Sequence, residues 1–262
     1  MSQKRTFRSS QLISPFGVGA IVDLAGESLV NMDITKWPAG DCAVLAANNL
    51  SRVLGKEIRR PPTDEKIGAI PFTRFPKWLF CPSCRNLNHI NITTDKVSYF
   101  DPPTCKNPKC KKTLLVPMRF VAVCSNGHLQ DIDWHWWAHR NNQQAQDGQC
   151  GKQQSKLYFE TTGASGGDFN AMKIRCSSCN STNSFESLTS LPYPFGCNGK
   201  QPWQSSAEKC TEEARVHPRS ASNVYYPTIF SSLDIDGSDN TEGEGDELML
   251  REWSGKNKLA KG

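Results

Sequence analysis

The sequence lacks any long apolar run and any apolar leader. Over its 262 residues, hydrophobic side chains make up 37% and the mean hydropathy is −0.54. No stretch approaches the roughly 20 apolar residues of a transmembrane helix, and the opening residues Met1–Arg5 are too polar for a secretory signal. We therefore expect a cytoplasmic protein of one or two domains, away from membranes, whose small apolar content requires additional stabilisation.

Recognisable catalytic motifs are also missing. The Gly17-x-Gly19 turn has neither the third glycine nor the Lys-Ser/Thr pair of a phosphate-binding loop, so a tight turn is the better interpretation. His135 and His139 are four residues apart, but no glutamate follows His135 as in the His-Glu-x-x-His motif of metalloproteases. A zinc enzyme would also need an open metal position and a general base, and no base stands at a recognisable spacing. The sequence therefore predicts a non-catalytic protein.

Cysteine, in contrast, is abundant, with eleven residues in the chain. Thiols stay reduced in the cytosol, so closely spaced cysteines there favour zinc ligands over disulfides. The strongest pattern is Cys81-x2-Cys84 followed by Cys105-x4-Cys110. Two such knuckles supply the four soft ligands that Zn²⁺ takes in a tetrahedral structural site. The sequence therefore predicts a zinc ribbon here.

A second four-cysteine zinc site is predicted further along the chain. Cys176-x2-Cys179 is another knuckle, and Cys197 and Cys210 can complete it. Twelve residues separate those last two cysteines, whereas a compact knuckle has roughly two to four.

A third site would mix cysteine and histidine. Its candidate ligands are Cys124, His128, His139 and Cys150. Their spacing is not that of a standard zinc finger, so the alternative remains that the histidines only hydrogen-bond to the backbone.

The expected fold class is α+β, with small strands and short helices stapled by zinc-ribbon-like knuckles. Apolar residues at helical spacing predict a helix over Cys42–Leu54, in which Cys42, without a cysteine neighbour, is a small buried residue. Aromatic and β-branched residues predict a strand over Asn223–Ile235. The predicted domains are an N-terminal segment of short strands and one helix (1–75), a zinc ribbon (76–122), a Cys/His-rich α+β region (123–235), and an acidic linker and tail (236–262).

Positive charge is concentrated in the first half of the chain. Residues 1–120 carry 18 Lys and Arg against 9 Asp and Glu, whereas the remainder carries 13 against 17. The basic half could face nucleic acid, or its lysines could simply offset the negative charge of a zinc ion bound by four thiolates. The candidate nucleic-acid-binding residues are Arg59, Arg60, Lys106, Lys109, Lys111 and Lys112.

Several blocks of the sequence together resemble the DrmB family, a component of the bacterial DISARM anti-phage defence system. The resemblance spans about residues 8–235. The blocks that carry it are Arg8–Asp23, Phe75–Cys84, Cys124–Leu129, Trp134-x-x-Trp137-x-His139, Pro202-Trp203 and Ser222–Pro227.

This resemblance implies a partner and a setting. DrmB-like proteins work beside DrmA, a helicase-like DNA translocase, and the pair engages DNA. Members of the family usually continue for hundreds of residues into a C-terminal domain of unknown function, so we expect a truncated gene or a remainder encoded as a separate polypeptide.

The function expected from these features is that of a zinc-stabilised, non-catalytic subunit of an anti-phage defence complex. It would dock a helicase-like DNA translocase and help to engage DNA. The alternative is a stand-alone zinc-ribbon DNA-binding protein, and a zinc-dependent enzyme is the weakest hypothesis.

Overall fold

Short antiparallel strands dominate the computed structural model, which describes residues 7–38, 42–62, 70–91, 101–142, 150–152, 155–162 and 169–232. The strands are β1 (Ile21–Leu24), β2 (Glu27–Asn31), β3 (Phe72–Arg74), β4 (Trp78–Phe80), β5 (Asn86–His89), β6 (Val116–Pro117), β7 (Phe120–Cys124), β8 (Leu129–Gln130), β9 (Leu157–Thr161), β10 (Met172–Cys176), β11 (Thr182–Ser184) and β12 (Ala214–Pro218). The helices are α1 (Ser9–Ile13), α2 (Asn48–Leu54) and α3 (Trp134–His139). The α+β prediction is confirmed, with three Cys/His clusters placed among these elements.

The strands form three sheets. Their orders are β1-β2-β3, β11-β10-β9-β5-β4-β6 and β12-β7-β8, and every paired strand is antiparallel. The six-stranded sheet pairs β5 with β9, so it joins strands from both sides of residue 122. The predicted domain boundaries stay predictions.

Contacts divide the chain into two compact units. The larger contains residues 1–45 and 59–229, and the smaller contains residues 46–58 and 230–262. Within the smaller unit the structure describes α2, which ends at Gly55 in the left-handed conformation. The acidic linker and tail predicted for 236–262 lie outside the described residues.

The main core of the larger unit lies where α3 packs against the six-stranded sheet. Trp134 is fully buried and stacks on Phe185 with ring centroids 5.1 Å apart. Phe120 from β7 meets the same phenylalanine edge-on at 5.6 Å. Strand β10 buries every second residue, which is the pattern of a strand with one face on a core. This core therefore holds α3 and β10 together, and both lead into cysteine or histidine ligands.

The blocks at the two ends of the family resemblance meet in space. A Cβ on Gly17 would lie 2.6 Å from the hydroxyl of Tyr225, and a Cβ on Gly19 would lie 3.1 Å from the ring of Trp203. Asp23 also accepts a hydrogen bond from Arg219 at 2.9 Å. The glycines are thus required for close packing, which supports the tight-turn interpretation over a phosphate loop.

Two predicted elements differ from the structure. The helix expected from Cys42 begins at Asn48 instead, since Val44 forms a β-bridge with Arg59. No strand occupies the described part of Asn223–Ile235, namely 223–232. Its aromatic Tyr225 packs against the N-terminal block rather than along a sheet, so aromatic content alone misled the prediction.

In the described residues no helix is long and apolar enough to cross a membrane.

Candidate metal centres

The twelve predicted ligands come together in three groups of four. In each group the ligand atoms all lie within 4.8 Å of one another. We name them the Cys81 centre (Cys81, Cys84, Cys105 and Cys110), the His128 centre (Cys124, His128, Cys197 and Cys210) and the His139 centre (His139, Cys150, Cys176 and Cys179).

The Cys81 centre is built from two tight turns. After β4, the N–H of Arg85 donates a hydrogen bond to the carbonyl of Cys81, and Arg85 adopts a left-handed φ of 63°. Opposite, a short 3₁₀ turn over Pro108–Cys110 is capped by the side chain of Asn107. The Sγ atoms of Cys84 and Cys105 are 3.7 Å apart. The four cysteines that the zinc-ribbon spacing singles out thus lie together in the structure.

The His128 centre joins a hairpin to a distant loop. Cys124 ends β7, and its Sγ lies 3.4 Å from Nδ1 of His128. Cys210 Sγ lies 4.0 Å from the same sulfur. His128 is 3% exposed, and its other ring nitrogen, Nε2, is 3.5 Å from a carboxylate oxygen of Glu208. The cysteine sulfurs and the Glu208 carboxylate therefore lie on opposite sides of the imidazole ring, with Nδ1 facing the sulfurs.

The loop that supplies Cys197 and Cys210 is folded back on Gly199. The Gly199 N–H donates to Cys197 Sγ at 3.3 Å, and its carbonyl accepts from the N–H of Glu208 at 2.9 Å. Gly199 has φ +66°, and a Cβ there would lie 1.6 Å from the Glu208 carbonyl oxygen. This close approach brings two cysteines separated by twelve residues into one site.

The His139 centre lies against the main core. The Nδ1 atom of His139 is 2.6 Å from the His135 carbonyl, so that nitrogen carries the proton and Nε2 is left as the ligand atom. Nε2 is buried without a hydrogen-bond partner. Cys150 and Cys176 have their Sγ atoms 3.6 Å apart, and Cys179 Sγ is 3.0 Å from the Ser181 hydroxyl. An orphaned, buried ring nitrogen beside three sulfurs fits a metal ligand.

The distances within the clusters fit a tetrahedral metal. Bonds of about 2.3 Å from Zn²⁺ to sulfur place neighbouring sulfurs about 3.8 Å apart, close to the separations of 3.6, 3.7 and 4.0 Å found here. A disulfide needs about 2.05 Å, and all eleven cysteines are free. The donor sets, four cysteines once and three cysteines with one histidine twice, are those of closed structural zinc sites.

One thiol in each centre is made more acidic. Burial raises the pKa of Cys81, but backbone N–H donors of its own knuckle outweigh it and the pKa falls to about 7. The pKa of Cys179 falls to about 6, because the hydroxyl and N–H of Ser181 outweigh burial. For Cys210 the backbone N–H of Glu212 is the main cause, and the pKa is about 7.

Another thiol in each centre is held protonated. Burial, followed by the neighbouring sulfur ligands, raises the pKa of Cys110, Cys150 and Cys197 to about 12. At neutral pH the clusters thus pair ionisable thiols with protonated ones, and a bound metal would displace the remaining protons.

The predicted grouping of the last eight ligands was wrong. Cys197 and Cys210 join Cys124 rather than Cys176, because β12 pairs with β7 and places Ala214 opposite Cys124. The same exchange leaves His139 and Cys150, from the predicted mixed site, to complete the Cys176-x2-Cys179 knuckle. The described residues thus contain one four-cysteine cluster and two mixed clusters, whereas the sequence predicts two four-cysteine sites and one mixed site.

Helix packing explains the second half of this exchange. Asn183 of β11 donates to the Trp137 carbonyl of α3 at 3.0 Å, and Asn142 donates to the Ser181 hydroxyl at 2.6 Å. These bonds dock the end of α3, with His139, beside the knuckle after β10. Glu208 was missed altogether, because no spacing links it to a histidine 80 residues away.

The basic residues predicted to bind nucleic acid are all exposed. They lie around the Cys81 centre and on the strand-like segment that pairs with Val44. Their role stays a prediction for Arg59, Arg60, Lys106, Lys109, Lys111 and Lys112.

Comparison with known proteins extends the resemblance across all three centres. The sequence model of a domain of unknown function, DUF8724, matches residues 8–226. The chain belongs to this family. The DUF8724 match includes all twelve cluster residues, from Cys81 to Cys210.

A curated relative gives the DUF8724 region a biological context. The DISARM protein DrmB of Bacillus paralicheniformis (strain ATCC 9945a / NCIMB 11709 / CD-2) is 27% identical over 234 residues, which cover 87% of this chain. The chain spans 40% of that relative's length. The protein is therefore DrmB-like over most of its sequence.

Proposed function

We propose that this chain is a zinc-stapled, non-catalytic component of a bacterial DISARM-type anti-phage defence system. The observation that carries the proposal is the similarity to a DISARM DrmB over 87% of the chain. The family match over residues 8–226 includes all three metal centres in the shared region. The centres thus belong to the part of the molecule that the relatives have in common.

The metal we propose is Zn²⁺, one ion in each centre. The support is the sulfur-rich donor set and the sulfur separations near those of a zinc tetrahedron. Four protein ligands at each centre leave no open position for a substrate or an activated water, which supports a structural role. A structural role agrees with a subunit that binds partners rather than one that carries out chemistry.

The partners we propose are a helicase-like DNA translocase and DNA, in the cytoplasm. They follow from the family resemblance and from the basic first half of the chain, with its net charge of +9 over residues 1–120. A subunit of this kind would dock the translocase and add its own positive surface to the DNA path. The alternative, a stand-alone zinc-ribbon DNA-binding protein, needs no partner.

Co-purification tests the proposal. The full chain is co-expressed with a helicase-like translocase of a DISARM system, one of them tagged, and DNA affinity is measured for each protein and for the pair. We expect a stable complex that binds DNA more tightly than the translocase alone. A chain that binds DNA unaided but never the translocase would support the stand-alone alternative. A chain that does neither would overturn both.

A further inference from the structure

A broad cleft of about 1210 Å³ opens on the larger unit, and its lining includes none of the twelve residues of the metal centres. Its walls come from the β3–β5 region, the segment around Asp131, the start of β9 and the loop over residues 198–207. The volume exceeds the roughly 300–1,000 Å³ of ordinary small-molecule pockets, so it suits an extended ligand better than a compact one.

Lysine dominates the charge of this cleft, which we name the lysine cleft. Its lining carries five lysines and one arginine against three aspartates. Arg74 is paired with Glu27 at 2.6 Å, and Lys152 is paired with Asp133. The lysines of the lining are Lys77, Lys106, Lys152, Lys156 and Lys200.

Three of these lysines are available to a ligand. Lys77, Lys156 and Lys200 are exposed, and within the described part of the chain none of them forms a side-chain ion pair. The nearby Asp131 carboxylate accepts the backbone N–H of Lys77 at 3.0 and 3.2 Å, which fixes the turn before β4, and its charge also acts on the side chains of Lys77 and Lys200. The three lysines therefore line the cleft from three separate segments, as phosphate contacts along a strand require.

An aromatic pair stands beside the lysines. Trp78 is half-buried and His89 is exposed, with their ring centroids 4.9 Å apart and the planes at 63°. Side-chain amides of Gln201 and Gln204 lie on the facing loop. Aromatic faces within a basic groove are the features on which unpaired bases stack, and amides can hydrogen-bond to base edges.

We propose that the lysine cleft binds single-stranded DNA, with phosphates on Lys77, Lys156 and Lys200 and a base against the Trp78–His89 pair. This inference rests on the proposed function and locates its DNA contact. It assigns that contact to a surface different from the lysines around the Cys81 centre. Base faces can leave the stack and pack on side chains in a single strand, whereas in a duplex they are held in the helix, so the aromatic pair distinguishes a single strand from duplex.

Three triple variants test the assignment. The cleft variant is Lys77→Ala/Lys156→Ala/Lys200→Ala, and the control Lys36→Ala/Arg52→Ala/Lys56→Ala removes the same charge from exposed residues outside the cleft. A third variant, Lys109→Ala/Lys111→Ala/Lys112→Ala, tests the rival surface beside the Cys81 centre. Binding of a fluorescein-labelled oligothymidylate of about 12 nucleotides, within the roughly 4–16 nucleotides of known sites, is followed by anisotropy over a salt series. All proteins are first compared by metal content and circular dichroism.

We expect the cleft variant to bind at least about tenfold more weakly, with a salt slope lower by about 2, since each phosphate contact on a single strand contributes about 0.7. The control should stay within about threefold of wild type. His89→Ala should weaken the single strand by about fivefold or more, a stacking effect, and leave weak duplex binding unchanged.

Other outcomes overturn the inference. Loss in the Lys109/Lys111/Lys112 variant as large as in the cleft variant, or in that variant alone, would move the DNA contact to the lysines beside the Cys81 centre while leaving the proposed function intact. Equal loss in the control would reduce the effect to overall charge. Duplex bound as tightly as single strand would remove the stacking role of the aromatic pair. Absence of DNA binding by wild type, alone and with the translocase, would remove both the inference and the DNA part of the proposed function.

Discussion

The Cys81 centre and the two mixed centres reach the same four-ligand arrangement in different ways. All ligands of the Cys81 centre fall within Cys81–Cys110, on two turns that are closed by their own backbone hydrogen bonds. In the His128 centre, Cys124 and Cys210 are 86 residues apart and meet only because β7 pairs with β12. A local site can form from its own sequence, whereas a tertiary site requires the sheets to be assembled first.

The metal content of double variants tests this comparison most directly. In the observed grouping, Cys124→Ser/Cys210→Ser disables one centre, whereas Cys179→Ser/Cys210→Ser disables two. We therefore expect about two zinc ions per chain in the first variant and about one in the second, against three in wild type. Elemental analysis of the purified chains gives the numbers. The reverse result would restore the grouping predicted from the sequence.

Part of the candidate metal centres could be predicted from the sequence, and part could not. The spacing singled out the knuckle cysteines, namely Cys81, Cys84, Cys105, Cys110, Cys176 and Cys179, because a knuckle is a local turn and leaves a local pattern, whereas the other six cluster residues were candidates without a standard spacing. The grouping of the twelve residues could not be predicted, because it depends on which strands become neighbours. Nothing in the sequence around Cys197 and Cys210 indicates that β12 pairs with β7. The same limit applies to Glu208 and to the lysine cleft, whose wall segments are distant in the sequence and meet only in the fold.

Loss of a single ligand should cost more stability in a tertiary centre than in the local one. Cys176 is fully buried in the main core with Ile174 and Trp134, whereas half-buried Cys84 joins only a small satellite cluster. A structural zinc contributes on the order of 10 kcal/mol to the folding of small domains. We expect Cys176→Ser to lower the melting temperature by about 10 °C or more, since each 1 kcal/mol shifts it by about 2–4 °C.

Cys84→Ser is the matched comparison for this effect. It should also lose one zinc ion, yet the main thermal transition should shift by only a few degrees, because the sheet core does not include that ribbon turn. Differential scanning calorimetry measures both. Equal shifts would mean that the Cys81 centre is as integral to the core as the His139 centre, against the distinction drawn from the structure.

Alanine substitutions at two glycines beside the His128 centre distinguish the cost of backbone strain from the cost of a steric clash. Gly127 and Gly199 both have positive φ, but a Cβ on Gly127 meets nothing within 4 Å while one on Gly199 meets the Glu208 carbonyl at 1.6 Å. Gly127→Ala should cost about 1–2 kcal/mol, the strain of a left-handed residue alone. Gly199→Ala must also displace the loop that carries Cys210, so we expect it to lose the zinc of this centre. Chemical denaturation and zinc analysis of the two variants test this, and retained zinc in Gly199→Ala would contradict it.

The smallest effect concerns the carboxylate behind His128. With Nδ1 facing the sulfurs, Nε2 lies 3.5 Å from a carboxylate oxygen of Glu208, a contact without hydrogen-bond geometry, and a carboxylate on this side of a ligating histidine orients the ring and raises its basicity. Glu208→Gln should therefore weaken zinc at the His128 centre by about tenfold, at the lower end of the range for these partners because Glu208 is 64% exposed. Glu213→Gln, an exposed change nearby whose carboxylate contacts Arg215 instead, should have no effect. Competition with a chromophoric chelator measures the affinity, and Co²⁺ substitution reports the geometry of the site. A tenfold loss in Glu208→Gln without a change at the other two centres would show that the tertiary site, unlike the Cys81 centre, depends on a residue outside its own ligand set.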